Sequence, residues 1–273
     1  MRGVSEASAI AQTERPATVR TLVTDLHELG VTHGNLIIVH SSLSRLGWVV
    51  GGAQAIVEAL FEAVGPTGTI VMPSQSSAIS DPVDWTNPPV PPEWIETIRN
   101  EMPVYDPASS PTRGMGAVVD CFLHHPATLR SAHPTVSFAA NGPAATEITR
   151  NHQLSPGLGA GSPLDRLYDL DAKVVLLGVD HANNTSLHLA EHRATWPGKA
   201  LTSVGVPLVV DGQRRWVTYD DLELDEGDFV DIGAAFAATG PERSSTIGVG
   251  RGRACSMRAI VDFAVEWMST HRS

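Results

Sequence analysis

VVLLGVDHANNTSLHLAEHR, residues 174–193, decides how the rest of the chain is read. Val174–Leu177 is an unbroken apolar run ended by Gly178, the pattern of a strand buried on both faces. A polar turn, 180–184, follows, and then a helical pattern that Asn184 or Thr185 can cap through a side-chain oxygen. His188, Glu191 and His192 stand at i, i+3 and i+4, so one helix face carries all three. A strand that leads through a polar turn into a helix bearing His and Glu is where α/β enzymes place chemistry.

Working outward, 35–40 is a second short apolar strand. It ends in Ser41-Ser42-Leu43-Ser44, and after Gly51-Gly52 a helix spans 53–64, followed by the turn Gly65-Pro66-Thr67-Gly68 and a strand at 69–72. This βαβ unit makes the sheet at least partly parallel. The hydroxyl-rich turn and the Gly-Gly helix start suit an anion as well as they suit a plain strand–helix turn, and they match neither the dinucleotide nor the P-loop pattern. Earlier, Val19, Leu22, Val23, Leu26 and Leu29 repeat with helical spacing up to Gly30. Residues 1–17 read as a frayed terminus, and 18–273 as one domain.

Residues 78–112 change character. Prolines crowd the stretch, and six acids between Asp81 and Asp106 face one base, Arg99, a local balance of 1 − 6 = −5. Trp85, Trp94 and Tyr105 are interleaved. Most such segments are solvated surface, but clustered carboxylates with aromatic rings also suit a cationic ligand. Downstream, 201–210 and 214–219 read as a hairpin about Asp211-Gly212. The run 220–231 holds seven acids and no base. Gly248–Gly252 reads as a flexible turn, and 254–268 as a final amphipathic helix that packs the core. The fold class is therefore α/β: a mixed, partly parallel sheet flanked by helices, with an acidic Pro-rich insertion and a hairpin after the central helix.

The formal net charge of −11 argues against nucleic acid as a partner and allows a cationic substrate. The two cysteines, Cys121 and Cys255, lie in apolar surroundings and read as core residues without a disulfide. The opening residues lack the apolar core of a signal peptide, and no apolar run reaches membrane-spanning length. A soluble cytoplasmic protein is expected.

Three chemistries compete for the central helix. His188-x-x-Glu191-His192 matches an inverted zincin motif, which would make a zinc-dependent hydrolase if a third ligand were supplied. Acyl transfer to an amine needs a base for the amine proton, and an imidazole steadied by a carboxylate suits it. Glu223 or Asp225, from the later acidic run, could be that carboxylate. With no Ser or Cys in a nucleophile elbow, direct transfer is simpler than a covalent acyl-enzyme. A binding module without catalysis would explain the acidic loops but not the His/Glu face.

Six stretches taken together carry a resemblance: VHSSLSRLGWVVGGAQAIVEAL (39–60), GPTGTIVMPSQS (65–76), PTRGMG (111–116), RSAHPTVSFAANG (130–142), SPLDRLYDLDAKVVLLGVDHANNTSLHLAEHRA (162–194) and YDDLELDEGDF (219–229). In this order they resemble the aminoglycoside 3-N-acetyltransferases, the antibiotic acetyltransferases distinct in fold from the histone-type enzymes. The resemblance runs from about residue 18 to 268. It implies acetyl-CoA as donor, the 3-amino group of a 2-deoxystreptamine aminoglycoside as acceptor, and a role in antibiotic resistance; no metal is expected, since the later acids that could complete the zinc set lie in an irregular loop. An amine other than an antibiotic stays open as acceptor. His188 would be the catalytic base, with Glu223 and, near it, Asp225 as acidic partner. Ser41, Ser42, Leu43, Gly51, Gly52, His133 and Ser137 would hold coenzyme A. Asp180, Glu191 and the acids of the excursion, Glu93, Glu101 and Asp106 among them, would face the drug. His192 stands where many members carry Tyr.

Overall fold

The structure is a computed structural model and describes residues 6–273. Seven strands form the central sheet: β1 (Leu36–Ser41), β2 (Thr69–Pro73), β3 (Leu129–Arg130), β4 (Phe138–Asn141), β5 (Lys173–Leu177), β8 (Arg243–Ile247) and β9 (Gly250–Ser256). Their order is β3-β4-β2-β1-β5-β9-β8. The middle three, β2, β1 and β5, are parallel, and both flanks are antiparallel. A separate hairpin, β6 (Leu201–Val210) and β7 (Gln213–Leu222), turns at Asp211-Gly212.

The apolar runs of the middle strands are continuous because each strand is covered twice. Ile37, Val39, Ile70, Met72, Val175 and Leu177 point to one face. There they pack under α2 (Val19–Glu28), α3 (Gly52–Val64) and α5 (Ala117–Leu123). Ile38, Val71, Val174 and Leu176 alternate to the other face. They meet α6 (Ala145–Thr149), α7 (Pro163–Asp169), α8 (Ser186–Arg193), α9 (Phe229–Ala238) and α10 (Met257–His271). Period-two alternation on an all-apolar run thus builds a helix–sheet–helix sandwich with a core on each side.

Four expectations are corrected. The part of the N-terminus that is described is not frayed: α1 (Glu6–Gln12) is helical, the Trp48 amide donates to Thr13 Oγ1 at 2.8 Å, and Ala17 and Val49 form a parallel bridge; Met1–Ser5 lie outside the described residues. The acidic run 220–231 is not one loop, since Phe229, Ile232 and Phe236 bury the inner face of α9. Gly248–Gly252 is the turn and start of a strand pair, β8–β9, whose outer strand is too exposed to alternate visibly. Cys255 therefore ends a strand, and the last helix starts at Met257. Both cysteines are free, and burial raises both thiol pKa values.

The excursion is built rather than loose. It contains α4 (Ile95–Glu101) and two short 3-10 turns. Arg99 forks onto Asp81 at 2.9 and 2.7 Å, and Arg214 of β7 donates to the carbonyls of Met102 and Arg99 at 2.9 and 2.5 Å. The excursion and the hairpin are thereby one wall beside the sheet.

Candidate active site

The parallel neighbours β1 and β5 end together, with Ser41 opposite Leu177. Their exits diverge. One turns through Leu43–Arg45, and the other passes Gly178 toward Asp180. Gly178 is required here: it sits at φ +69°, and a Cβ would lie 2.8 Å from the Arg45 Cβ. A crevice beyond the carboxyl ends of diverging parallel strands is the usual ligand site of an open α/β sheet.

The turn after β5 is fastened by its own side chains. Asp180 Oδ1 accepts the Ala182 amide at 3.0 Å, and Asn184 Oδ1 accepts the Ser186 amide at 3.1 Å. The second bond satisfies a free amide at the start of α8. At the other end, Lys199 Nζ donates to the carbonyls of Glu191, His192 and Ala194 at 2.7–2.8 Å, a cation placed where the helix dipole is negative. Both ends of an eight-residue helix are thus tied, and His188 is held between them.

Glu191, one turn after His188 and wholly buried, orients the ring. Its Oε2 lies 2.5 Å from His188 Nδ1. A carboxylate only accepts, so Nδ1 carries the hydrogen and Nε2 keeps its lone pair. The other oxygen, Oε1, accepts Arg272 Nη1 at 2.7 Å and the Asp225 amide at 2.9 Å. Arg272 also forks onto Asp228 at 2.8 and 2.6 Å and donates to the Asp225 carbonyl at 2.7 Å. Burial alone would lower the Arg272 pKa, but its bonds to Asp228 and Glu191 outweigh that and raise it. A fixed guanidinium therefore stands against the buried carboxylate, 2.7 Å from Oε1. Phe229 backs the imidazole, ring centroids 5.0 Å apart.

The ring lines the inner of two adjoining cavities. The inner one, about 180 Å³, is lined by His40, Ser41, Asn184, His188, Glu226 and Phe229 among others. The outer groove, about 1200 Å³, runs along Ser41–Arg45, Trp48, Gly52, Asp180 and Arg251–Arg253. Ser41, Gly114, Met115, Val179 and Asn183 line both, so the two are continuous. His40 ends β1 against the inner cavity. Burial first, then the neighbouring His181 and His188 imidazoles, push its pKa down to about 3, so it is neutral.

The residues singled out from the sequence separate into groups. His188 lines the inner cavity; Ser41, Ser42, Leu43, Gly52 and Asp180 line the groove, and Gly51 adjoins it at φ +84°. The carboxylate on His188 is Glu191, not Glu223 or Asp225. Glu223 is exposed, with its amide bonded to Ala200, and Asp225 contributes only its backbone to the array while its carboxylate accepts the Gly227 amide. Glu191, assigned to the drug, has no surface left to offer one. His133 and Ser137 are interior. His133 takes the amides of Thr135 and Val136 on Nδ1 and donates from Nε2 to the Leu154 carbonyl; Ser137 is bonded to Ser74 and Arg130. Burial lowers the His133 pKa. Neither lines either cavity. Glu93, Glu101 and Asp106 are exposed and line neither cavity.

The geometry also speaks against the zinc motif. Both Glu191 oxygens are committed, one beside a guanidinium that would repel a second cation, and His192 packs beside Gly159 rather than facing a cavity.

A family profile described as Aminoglycoside 3-N-acetyltransferase matches residues 38–269. The chain belongs to the aminoglycoside 3-N-acetyltransferase family. It is 43% identical over 265 residues to the SPbeta prophage-derived aminoglycoside N(3')-acetyltransferase-like protein YokD of Bacillus subtilis (strain 168), covering 97% of each chain. It is 34% identical to aminoglycoside N(3)-acetyltransferase VIII of Streptomyces fradiae, covering 98% of this chain and 97% of that one. Among solved structures, AAC-IIIb in binary complex with CoASH superposes with a TM-score of 0.82 at 33% identity, covering 93% of this chain and 97% of that one.

For a member of this acetyltransferase family, the array holds residues that the sequence reading did not single out. Arg272 follows the last helix with no motif around it, and nothing local connects it to Glu191 81 positions earlier. Glu226 lies within the crowded acidic run, where its neighbours hide it. Arg45, Arg251 and Arg253 are scattered single cations that only the strand order brings to one groove.

Proposed function

We propose that the protein transfers the acetyl group of acetyl-CoA to the 3-amino group of a 2-deoxystreptamine aminoglycoside, with His188 as general base, in a ternary complex. The observation that carries this reading is the His188–Glu191–Arg272 array, whose imidazole lines a small cavity that is continuous with a long groove. Family membership supplies the chemistry, and the array supplies a base of fixed tautomer. In the step, the amine nitrogen attacks the thioester carbonyl carbon, and His188 Nε2 takes the N–H proton. The carbon–sulfur bond then breaks, and the leaving thiolate takes the proton from Nε2; the one net proton released is the one that the bound ammonium gives to solvent before its nitrogen can attack. Imidazolium formed in passing faces the charged Glu191, which arginine keeps in place. Glu226, on the inner cavity beside His188, is placed to receive a cationic sugar ring. Acetylation removes one positive charge from the drug, which fits a resistance function, and the acetyl-CoA requirement fits the cytoplasm.

The test is thiol release from acetyl-CoA against a panel of aminoglycosides and simple amines, with wild type and His188→Ala. We expect release with 2-deoxystreptamine drugs and a loss of at least ~10²-fold in kcat for the variant. Full activity of folded His188→Ala would refute the assignment of the base, and release only with simple amines would refute that of the acceptor.

A further inference from the structure

One polar ring on the inner cavity is left without a hydrogen bond among the described residues. His40 lies opposite Leu176 in the β1–β5 ladder and two residues after Ile38, so its side chain is turned to the same face, toward α8 and α9. It lines the inner cavity together with His188 and is only 8% exposed. Its Nε2 is sealed from solvent, and neither ring nitrogen is hydrogen-bonded to a described residue. Around it this face of the sheet is apolar: Ile38, Val71, Val174 and Leu176. Burying an imidazole there without a bond costs stability that an aliphatic side chain would not. A polar group kept in such a place is explained when a ligand supplies the missing bond.

The charge and tautomer of the ring follow from the same burial. Its pKa is pushed down to about 3, by burial first and by the His181 and His188 imidazoles second, so it stays neutral and carries one hydrogen. An orphaned buried N–H is rarer than an orphaned acceptor. The sealed Nε2 therefore keeps the lone pair, and Nδ1–H is the hydrogen that the ring can offer. A neutral imidazole polarises a carbonyl without giving up its proton. Other groups on the cavity wall are less suited. A carboxylate such as Glu226 only accepts, Asn184 is engaged by the Ser186 amide and by His181, and the hydroxyls of Ser41 and Thr185 rotate. Developing charge is stabilised best by donors already fixed in place.

We infer that His40 donates its Nδ1–H to the carbonyl oxygen of the acetyl thioester and holds that oxygen as an oxyanion while the amine adds. This role rests on acetyl-CoA being the donor. When the amine nitrogen attacks, the carbonyl π pair moves onto oxygen. The pair returns to carbon as the carbon–sulfur bond breaks, and His40 neither gains nor loses a proton. A cavity of about 180 Å³ sets both imidazoles around one reacting carbon, His188 for the nitrogen and His40 for the oxygen.

The experiment reads the bound carbonyl directly. Acetyl-CoA labelled with carbon-13 at the carbonyl is bound without acceptor, and its band is measured by infrared difference spectroscopy. The band should lie at lower wavenumber than in solution for wild type and His188→Ala, and at the solution position for His40→Phe. An Asn side chain places its amide nitrogen near the site of Nδ1, and Gln near that of Nε2, so the band should stay shifted in His40→Asn and return in His40→Gln. In turnover, kcat should fall about 10²–10³-fold in His40→Phe with KM for both substrates near wild type, and recover at least ~10-fold in His40→Asn. The same band in wild type and folded His40→Phe, or wild-type kcat in that variant, would overturn the donor. Where His40→Phe does not fold, equal bands in His40→Asn and His40→Gln would overturn it. Wild type that turns over acetyl-CoA with an unshifted band would remove His40 alone; wild type that binds no acetyl-CoA would overturn the proposed reaction and this role with it.

Discussion

Glu191→Gln keeps the shape of the side chain, removes its charge and reverses the tautomer of His188. The carboxylate meets three donors: His188 Nδ1 at 2.5 Å on one oxygen, and Arg272 Nη1 at 2.7 Å with the Asp225 amide at 2.9 Å on the other. An amide offers one oxygen. Two donors claim it at the Oε1 position, so the NH₂ faces His188. A donor facing Nδ1 forces the opposite tautomer, with hydrogen on Nε2, and the lone pair to which the proposed reaction gives the amine proton is lost. The counter-charge to the imidazolium goes with it. A wrong tautomer in a His–carboxylate pair costs on the order of 10³–10⁴ in rate, and 10³ corresponds to about 4 kcal/mol of barrier. Stability falls less. Breaking a buried ion pair costs about 3–5 kcal/mol when the survivor is stranded, but Arg272 keeps Asp228. A loss of about 2 kcal/mol remains, roughly 4–8 °C in Tm for a chain of this size. Steady-state thiol release and a melting curve measure both. KM for donor and acceptor should stay near wild type, and Glu223→Gln and Asp225→Asn should each cost far less in kcat than Glu191→Gln. A folded Glu191→Gln with wild-type kcat, or a larger loss in Glu223→Gln, would refute the reasoning.

Three further outcomes rest on packing and charge. His40 and His152 both have pKa values pushed down to about 3, by burial first and by neighbouring imidazoles second. Unfolding restores a pKa near 6.5, so the unfolded chain binds more protons and stability falls as pH drops below 6.5, by roughly 2 kcal/mol per histidine at pH 5. Calorimetric unfolding at pH 5 in buffers of different ionisation enthalpy should show uptake attributable to these rings, reduced by about one proton in His152→Gln; no change in uptake would remove His152 from the account. Gly233→Ala places a methyl 2.3 Å from the His181 ring and should cost about 1–3 kcal/mol of overpacking, read as a lower urea midpoint, with a drop in kcat because His181 holds Asn184 at the start of α8; an unshifted midpoint would show that α9 yields freely. Aminoglycoside KM should rise steeply between about 50 and 500 mM salt, because Glu226 and the surrounding acids are exposed and screened; a flat response would separate drug binding from those carboxylates.

How far the fold and the site were legible in the sequence depends on the range of each interaction. The middle strands and α8 were readable because an apolar run or a 3.6-residue spacing is written in consecutive residues. β8 and α1 were not, because one is an exposed outer strand without alternation and the other is held by Thr13 and Trp48 across 35 positions. His188 was visible from the helix face it shares with Glu191. The interior positions of His133 and Ser137 were not legible because a buried hydrogen-bonded residue and a ligand-binding one look alike in sequence; the Leu154 carbonyl and Arg130 that they bond are brought in only by the fold.

The partner of His188 shows the same logic at its sharpest. The triad pattern directs attention to a distant carboxylate, and the acidic run 220–231 offers several. Yet a Glu three residues on lies on the same helix face and needs no loop to be ordered before it can act. What a wholly buried local carboxylate lacks is donors for its second oxygen. Distance in sequence supplies them from the other side: Arg272 comes from the far end of the chain, and the run 225–228 closes over both, the Asp225 amide on Glu191 and Asp228 on Arg272. The acidic run is therefore linked to His188, with two residues between, by pairing the arginine that fixes the carboxylate that fixes the ring. Charge-reversing Arg272→Glu should then abolish activity as completely as loss of His188, whereas Arg272→Lys, which keeps the charge on Glu191 but cannot fork onto Asp228, should retain an intermediate kcat with KM values unchanged. Equal activity of Arg272→Lys and Arg272→Glu would mean that the guanidinium only packs there.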